Sequence, residues 1–316
     1  MHPAFSIIVF TTASGMGYGL ATVLGLGLLD PAALSTKLAH VLALGLIGAG
    51  LVSSTLHLGN PQRAWRAFSQ WKSSWLSREG VMAVVAFVPL CISAWSVIFE
   101  DACLDWAGLI GSGLSLLTVY CTAMIYASLR SVDAWHTRLT PACYLLFALA
   151  GGTLFASFFA SAGESSAAHG LSATAIALLI AAWVVKIRWR RRLKNLTPLS
   201  NPESATGLGA IGRVRLLERP HMTENYLTRE MGFRIARKHA EKLFRLALIF
   251  GGAVPIVLMV LCLLPGLSGG LTALLLFVAV LSHALGILLE RWLFFAEARH
   301  AVMNYYGGRE QDLRAV

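Results

Sequence analysis

The feature that most limits what this sequence can become is a repeated one: apolar runs long enough to cross a lipid bilayer. Eight windows, residues 4–29, 38–58, 81–99, 106–129, 142–162, 167–185, 246–264 and 271–289, come near the roughly 20 residues that a helix needs to cross a hydrocarbon core about 30 Å thick. The expected fold class is an all-α polytopic membrane protein with eight transmembrane helices in one bundle. Charged residues make up 13% of the chain, about half the roughly 25% of a soluble domain, so a water-exposed globule is excluded. The first window reads as a span rather than a signal peptide, because no basic segment precedes it and no small-residue cleavage site follows it. Recurrent glycines in the apolar windows point to close helix packing.

Most links between windows are short. The exception is a basic link over residues 186–245, whose first half is broken by Pro198, Pro202, Gly207, Gly209 and Gly212. With eight crossings, both termini share one side with the links after windows two, four and six. That side carries 25 of the 26 Lys and Arg, and Lys37 alone falls on the other, beside Asp30, Glu100, Asp101, Asp105 and Glu164. The positive-inside rule then predicts cytoplasmic termini and a cytoplasmic link. The link holds the whole net charge of +10. Its first block, Lys186, Arg188, Arg190, Arg191, Arg192 and Lys194, reads as a stop-transfer and anionic-lipid contact. Further on, Arg234, Arg237, Lys238, Glu241, Lys242 and Arg245 recur at helical spacing and suit headgroups or an acidic protein partner. No base-reading motif supports a nucleic-acid partner.

Several redox chemistries are poorly served by this sequence. Cys91, Cys103, Cys121, Cys143 and Cys262 are isolated, whereas iron–sulfur and zinc sites need clustered thiolates. Haem would need two axial histidines at one depth. His40 and His57 are 17 residues apart on one window, about 25 Å at 1.5 Å per residue, and His283 has no evident partner, so packing or a local hydrogen bond is the favoured role for it. No metal site is expected.

The densest cluster of chemistry-bearing residues lies where the second window meets the third. His57 ends one helix, Gly59, Asn60 and Pro61 turn the chain, and Arg63, Trp65, Arg66, Trp71, Lys72, Trp75, Ser77, Arg78 and Glu79 follow. The tryptophans suit an interfacial aromatic belt. Ser77 is the expected N-cap of the third helix, with Glu79 in its first turn. Glu79 could serve only the helix dipole. Together with His57, however, it sets an imidazole and a carboxylate at one membrane face, where a lipid-soluble substrate meets water, and imidazole is the side chain whose ordinary pKa suits proton exchange there. Such a pair would serve a quinone headgroup.

Longer motifs support this reading. Residues 1–5 (Met1, His2, Pro3, Ala4, Phe5), Phe10 to Gly19, His57 to Trp65, Ser200 to Gly209 and Glu224 to Arg234 resemble the dimethyl sulfoxide reductase anchor-subunit family (DmsC type) over nearly the whole chain. The resemblance implies an eight-helix, haem-free, multi-pass subunit of the bacterial inner membrane that binds menaquinone or ubiquinone. It also implies two partners: a four-cluster ferredoxin-like iron–sulfur subunit, and a catalytic subunit that holds the molybdenum cofactor. The family's quinol-linked His and Glu fall on His57 and Glu79. A functional Tyr of some members has no counterpart here, since Ser93, Trp95 and Ser96 occupy that region. Arg63 and Arg78 are expected to hold the partner's acidic surface or to act on the charge of Glu79. Thr11, Ser14 and Tyr18 could bond the headgroup or simply pack.

The cytoplasmic placement of His57 and Glu79 puts the iron–sulfur partner inside the cell. This fits the branch resembling cytoplasmic sulfite dehydrogenases, with electrons from sulfite oxidation entering the quinone pool. A sulfoxide reductase anchor oxidising menaquinol is the alternative. A transporter is remoter, because its ionisable residues would sit near mid-membrane.

Overall fold

The computed structural model describes residues 4–56, 60–196, 201–214, 217 and 239–302. His57, the segment 221–238 and the C-terminal 303–316 lie outside the described residues, as do Met1, His2 and Pro3. Among the described residues, eight helices are long and apolar enough to cross a membrane. They follow from the apolar runs, because lipid offers the backbone no hydrogen-bond partners and a helix satisfies its own.

The long helices are α1 (Phe5–Leu24), α2 (Leu34–Thr55), α3 (Trp75–Glu100), α4 (Asp105–Ala127), α5 (Leu139–Ala162) and α6 (Ala168–Lys194). A 3-10 segment, Pro61–Gln70, joins α2 to α3. The long link contains a short helix α7 (Pro202–Thr206), closed by a capping box in which Asn201 and Ser204 bond each other's backbone N–H. The seventh membrane-length helix is composite: α8 (Ala240–Leu248), a π-helical turn (Ile249–Ala253) and α9 (Val254–Cys262). The eighth is α10 (Gly269–Ala296).

Helix ends depart from the apolar limits in an instructive way. α3 begins at Trp75, not at the start of the apolar run, and its N-cap is Ser74, whose hydroxyl accepts the Ser77 N–H at 3.4 Å. Ser77 is therefore not the cap. It sits in the first turn and donates its hydroxyl to the Ala67 carbonyl, which ties the 3-10 segment to α3. α6 continues to Lys194, so the first nine residues of the expected link are helical. α2 ends at Thr55, ahead of the predicted limit.

The centre of the bundle is α1, which packs against α2, α4, α5 and α10. Its glycines explain how. A Cβ on Gly19 would collide with the Ala148 carbonyl of α5, and one on Gly152 would strike the Gly19 backbone, so the two helices meet main chain to main chain. Gly251 and Gly286 bring the π turn and α10 together in the same manner. Hydroxyls add interhelical bonds: Ser112 donates to the Thr22 carbonyl at 2.8 Å and Ser53 to the Ser6 carbonyl at 2.9 Å. Each contributes about 0.6 kcal/mol in a membrane, so glycine packing does more to fix the register.

The π turn frees carbonyls that an α-helix would have used, and α10 supplies the donors. Ser282 donates to the Phe250 carbonyl and the His283 Nδ1 bonds the Gly251 carbonyl, both at 2.7 Å. His283 thus makes the local hydrogen bond favoured for it. His40 engages the Thr36 carbonyl of its own helix in the same way, at 3.0 Å.

One end of the bundle is knitted from segments far apart in sequence. Trp135, in the link after α4, donates its indole N–H to the Phe294 carbonyl at 2.9 Å. Arg192, near the end of α6, donates to the carbonyls of Asp133 and His136. Arg190 of α6 pairs with Glu297 beyond α10 and with Glu241 of α8, at 3.1 and 3.3 Å. The opposite end holds the Lys37–Asp101 pair at 2.5 Å.

Candidate functional site

The earlier start of α3 changes what Glu79 is. It is the fifth residue of the helix, about 6 Å in from its start, and beyond the first turn where a carboxylate serves the dipole best. The side chain is 6% exposed. Its Oε1 accepts the Thr122 hydroxyl of α4 at 2.6 Å, and no salt bridge reaches it among the described residues. A carboxyl sunk into an apolar helix with a hydroxyl as its described hydrogen-bond partner is costly to keep in the charged form. Such a group is suited to holding or releasing a proton.

Tyr18 of α1 approaches the same place. Its hydroxyl is buried beside the Thr118 side chain and within electrostatic reach of Glu79. A buried phenol close to a buried carboxyl is a donor that suits a polar ring oxygen of a ligand. Thr11 and Ser14, on the same helix, are spent locally: their hydroxyls donate to the carbonyls of Ile7 and Phe10 at 2.9 and 2.6 Å, and Ser14 packs where α2 has Gly50.

Of the two arginines, Arg78 is engaged by backbone and ring partners near the start of α3. Arg78 donates Nε to the Trp71 carbonyl at 3.0 Å and Nη2 to the Lys72 carbonyl at 2.6 Å, and its guanidinium lies 4.3 Å from the Trp75 ring centre. Arg63 is exposed on the 3-10 segment. With Trp65 and Trp71 also exposed, this segment forms a basic, aromatic rim near the start of α3, and the partly exposed Phe68 lies against Gly80. His57 belongs to the stretch outside the described residues, so the structure brings together Glu79, Thr122 and Tyr18 of the site.

A second buried polar cluster lies at the ends of α6 and α10. Lys186 Nζ is 2.5 Å from Glu290 Oε1, and Arg291 Nε is 3.3 Å from Glu290 Oε2. The three residues are 2%, 1% and 2% exposed. Lys186 stacks on Trp189 and Arg291 on Tyr144, each at 3.8 Å. The lipid-contact reading of the first basic block therefore fails for Lys186 and Arg190, which face inward to carboxylates, whereas Arg188, Arg191 and Lys194 are exposed. Lys194 meets Glu241 at 2.7 Å. The sequence reading overlooked Thr122 and Glu290. A lone Thr in an apolar window carries no signal, but Glu290 did offer one: a carboxylate at the end of an otherwise apolar run.

These features define a polytopic helical membrane protein with a carboxyl buried one turn inside its third membrane-length helix. The chain belongs to the dimethyl sulfoxide reductase anchor subunit (DmsC) family, whose family model matches residues 1–296. It is 32% identical to the C component of sulfite dehydrogenase from Allochromatium vinosum, over 97% of this chain and 99% of that protein. It is also 26% identical to the C component of anaerobic dimethyl sulfoxide reductase from Escherichia coli K12, over 45% of this chain and 51% of that protein. No solved structure matches it.

Proposed function

We propose that this anchor subunit is the quinone-reactive membrane component of a molybdenum oxidoreductase, joining an iron–sulfur partner to the quinone pool of the bacterial inner membrane. The observation that carries this reading is the Glu79 carboxyl, buried one turn inside α3 on the Thr122 hydroxyl. Conversion between quinone and quinol moves two electrons and two protons. The chain's own task is then to bind the headgroup and move protons at defined atoms. Glu79 exchanges a proton at its carboxyl, His57 exchanges one at its imidazole, and Tyr18 donates a hydrogen bond to a ring oxygen. The apolar walls of α1, α3 and α4 keep bulk water from the exchange.

The basic end of the bundle is assigned to the cytoplasm, which is supported by the charge asymmetry of the links. Glu79 and the basic 3-10 rim belong to that end. Arg63 and the neighbouring cations suit the acidic face of an iron–sulfur partner, and the molybdenum subunit docks beyond it. Sulfite oxidation by that subunit is the favoured overall reaction, supported by the end-to-end similarity to a membrane-family component of a sulfite dehydrogenase. The partial similarity to the corresponding component of a dimethyl sulfoxide reductase supports a second reading, in which menaquinol is oxidised instead.

The test is His57→Phe in the purified complex, assayed for sulfite- and sulfoxide-linked quinone turnover. The expected result is normal subunit assembly with quinone-dependent turnover abolished. Wild-type turnover in this variant would refute the assignment.

A further inference from the structure

We propose that Thr122 is a positioning residue for Glu79, its hydroxyl serving as partner to that carboxyl in both protonation states. The inference rests on the proton-exchange role of Glu79 given above, and it names the group that makes this role workable in a buried place.

Thr122 Oγ1 lies between two acceptors. Glu79 Oε1 is at 2.6 Å, and the Thr118 carbonyl, one turn back on α4, is at 3.1 Å. The first distance is that of a short O–H···O bond, whichever oxygen carries the hydrogen. The second is an ordinary hydroxyl–carbonyl bond. A hydroxyl has one hydrogen to give and two lone pairs to receive with. When Glu79 is a carboxylate, the Thr122 hydrogen points to Oε1. When Glu79 has taken up a proton, the carboxyl O–H donates to Thr122 Oγ1 and the Thr122 hydrogen turns to the Thr118 carbonyl. Both states leave the Glu79–Thr122 pair matched, which matters because an unmatched buried polar group carries the full cost of its lost hydration.

The surroundings give this role to few other groups. Among the described residues, the titratable side chains within electrostatic reach of Glu79 include Tyr18 from α1, Cys121 and Tyr126 from α4, and Tyr144 from α5. Arg78 on α3 is committed to the carbonyls of residues 71 and 72, and Arg291, beyond Tyr144, is paired with Glu290. The proton exchanged with the substrate enters and leaves at the Glu79 carboxyl. The Thr122 hydrogen stays on its own oxygen and only rotates, so no net transfer passes through Thr122.

The experiment uses the whole purified complex and four variants: Thr122→Val, Thr122→Ser, Glu79→Gln, and Glu79→Gln with Thr122→Val. Thr122→Val keeps the shape and removes the hydroxyl. Its quinone-linked turnover is expected to fall about tenfold, and the limb of the pH–rate profile set by Glu79 to shift from its wild-type position by about one unit. Substrate-to-dye electron transfer in the partner subunits should be unchanged. Thr122→Ser should restore both turnover and profile. In the Glu79→Gln background, adding Thr122→Val should cost less than about twofold, because a residue acting through Glu79 has nothing left to act on. A wild-type rate and profile in Thr122→Val overturns the proposal alone, as does an equally large loss in the Glu79→Gln background. Full turnover in Glu79→Gln overturns the role of Glu79 and this proposal with it.

Discussion

Lys186 and Glu290 come from different membrane helices, yet their charged atoms stand 2.5 Å apart with both side chains almost wholly enclosed. Arg291 joins the same carboxylate from the other oxygen, so the cluster holds two cations on one anion. Removing one partner of a buried pair leaves an uncompensated charge and costs about 3–5 kcal/mol. Glu290→Gln is therefore expected to lower the thermal midpoint of the detergent-solubilised protein by many degrees. Adding Lys186→Met should recover part of that loss. An unchanged midpoint in Glu290→Gln would count against the cluster as a stabilising unit.

The meeting of α1 and α5 sets a sharper steric limit. Gly19→Val would drive methyl groups into the α5 backbone near Ala148 and Gly152, and overpacking of this kind costs roughly 1–3 kcal/mol or more. Gly45 on α2 has open space where a side chain would go. Gly45→Ala is expected to be neutral, or to stabilise by about 0.5–1 kcal/mol through helix propensity. Size-exclusion profiles and melting curves of the two variants should move in opposite directions, or the second not at all.

The π turn predicts a modest but directional effect. Ser282→Ala strips the Phe250 carbonyl of its donor on α10, at a cost of roughly 1 kcal/mol. His283→Phe removes the bond to Gly251 and also enlarges a side chain packed against Gly151, so it should be the more damaging of the two. Comparing their melting midpoints tests the order.

Ser77→Ala addresses the rim near the start of α3. Loss of the bond to the Ala67 carbonyl should leave the global midpoint nearly unchanged while amide exchange quickens over residues 67–71. Unaltered exchange there would show that Phe68 against Gly80 suffices to hold the segment.

How far the sequence reveals this architecture depends on the range of the interaction. The spans are legible because each apolar run dictates its own helix. The start of α3 is not, since Trp75 to Glu79 read as a polar approach until Ser74 is seen to cap the helix and Ser77 to reach back to Ala67. Glu79 stands out as a candidate because it lies near His57 in the sequence. Thr122 stays hidden because its relation to Glu79 exists only after α3 and α4 pack. Lys186 and Arg190 read as lipid contacts for the same reason: their carboxylates lie on α8, on α10 and just beyond it, far along the sequence.

That distance has a consequence for biogenesis. Synthesis proceeds from the N-terminus, so α6 reaches the membrane before Glu241, Glu290 and Glu297 exist. During that interval Lys186 and Arg190 are cations without those carboxylates at the end of a nascent helix, the setting in which basic residues act as a stop signal. Once α10 arrives, Glu290 and Glu297 draw them inside. The charges that orient the growing polypeptide are then no longer the charges the finished protein shows to lipid.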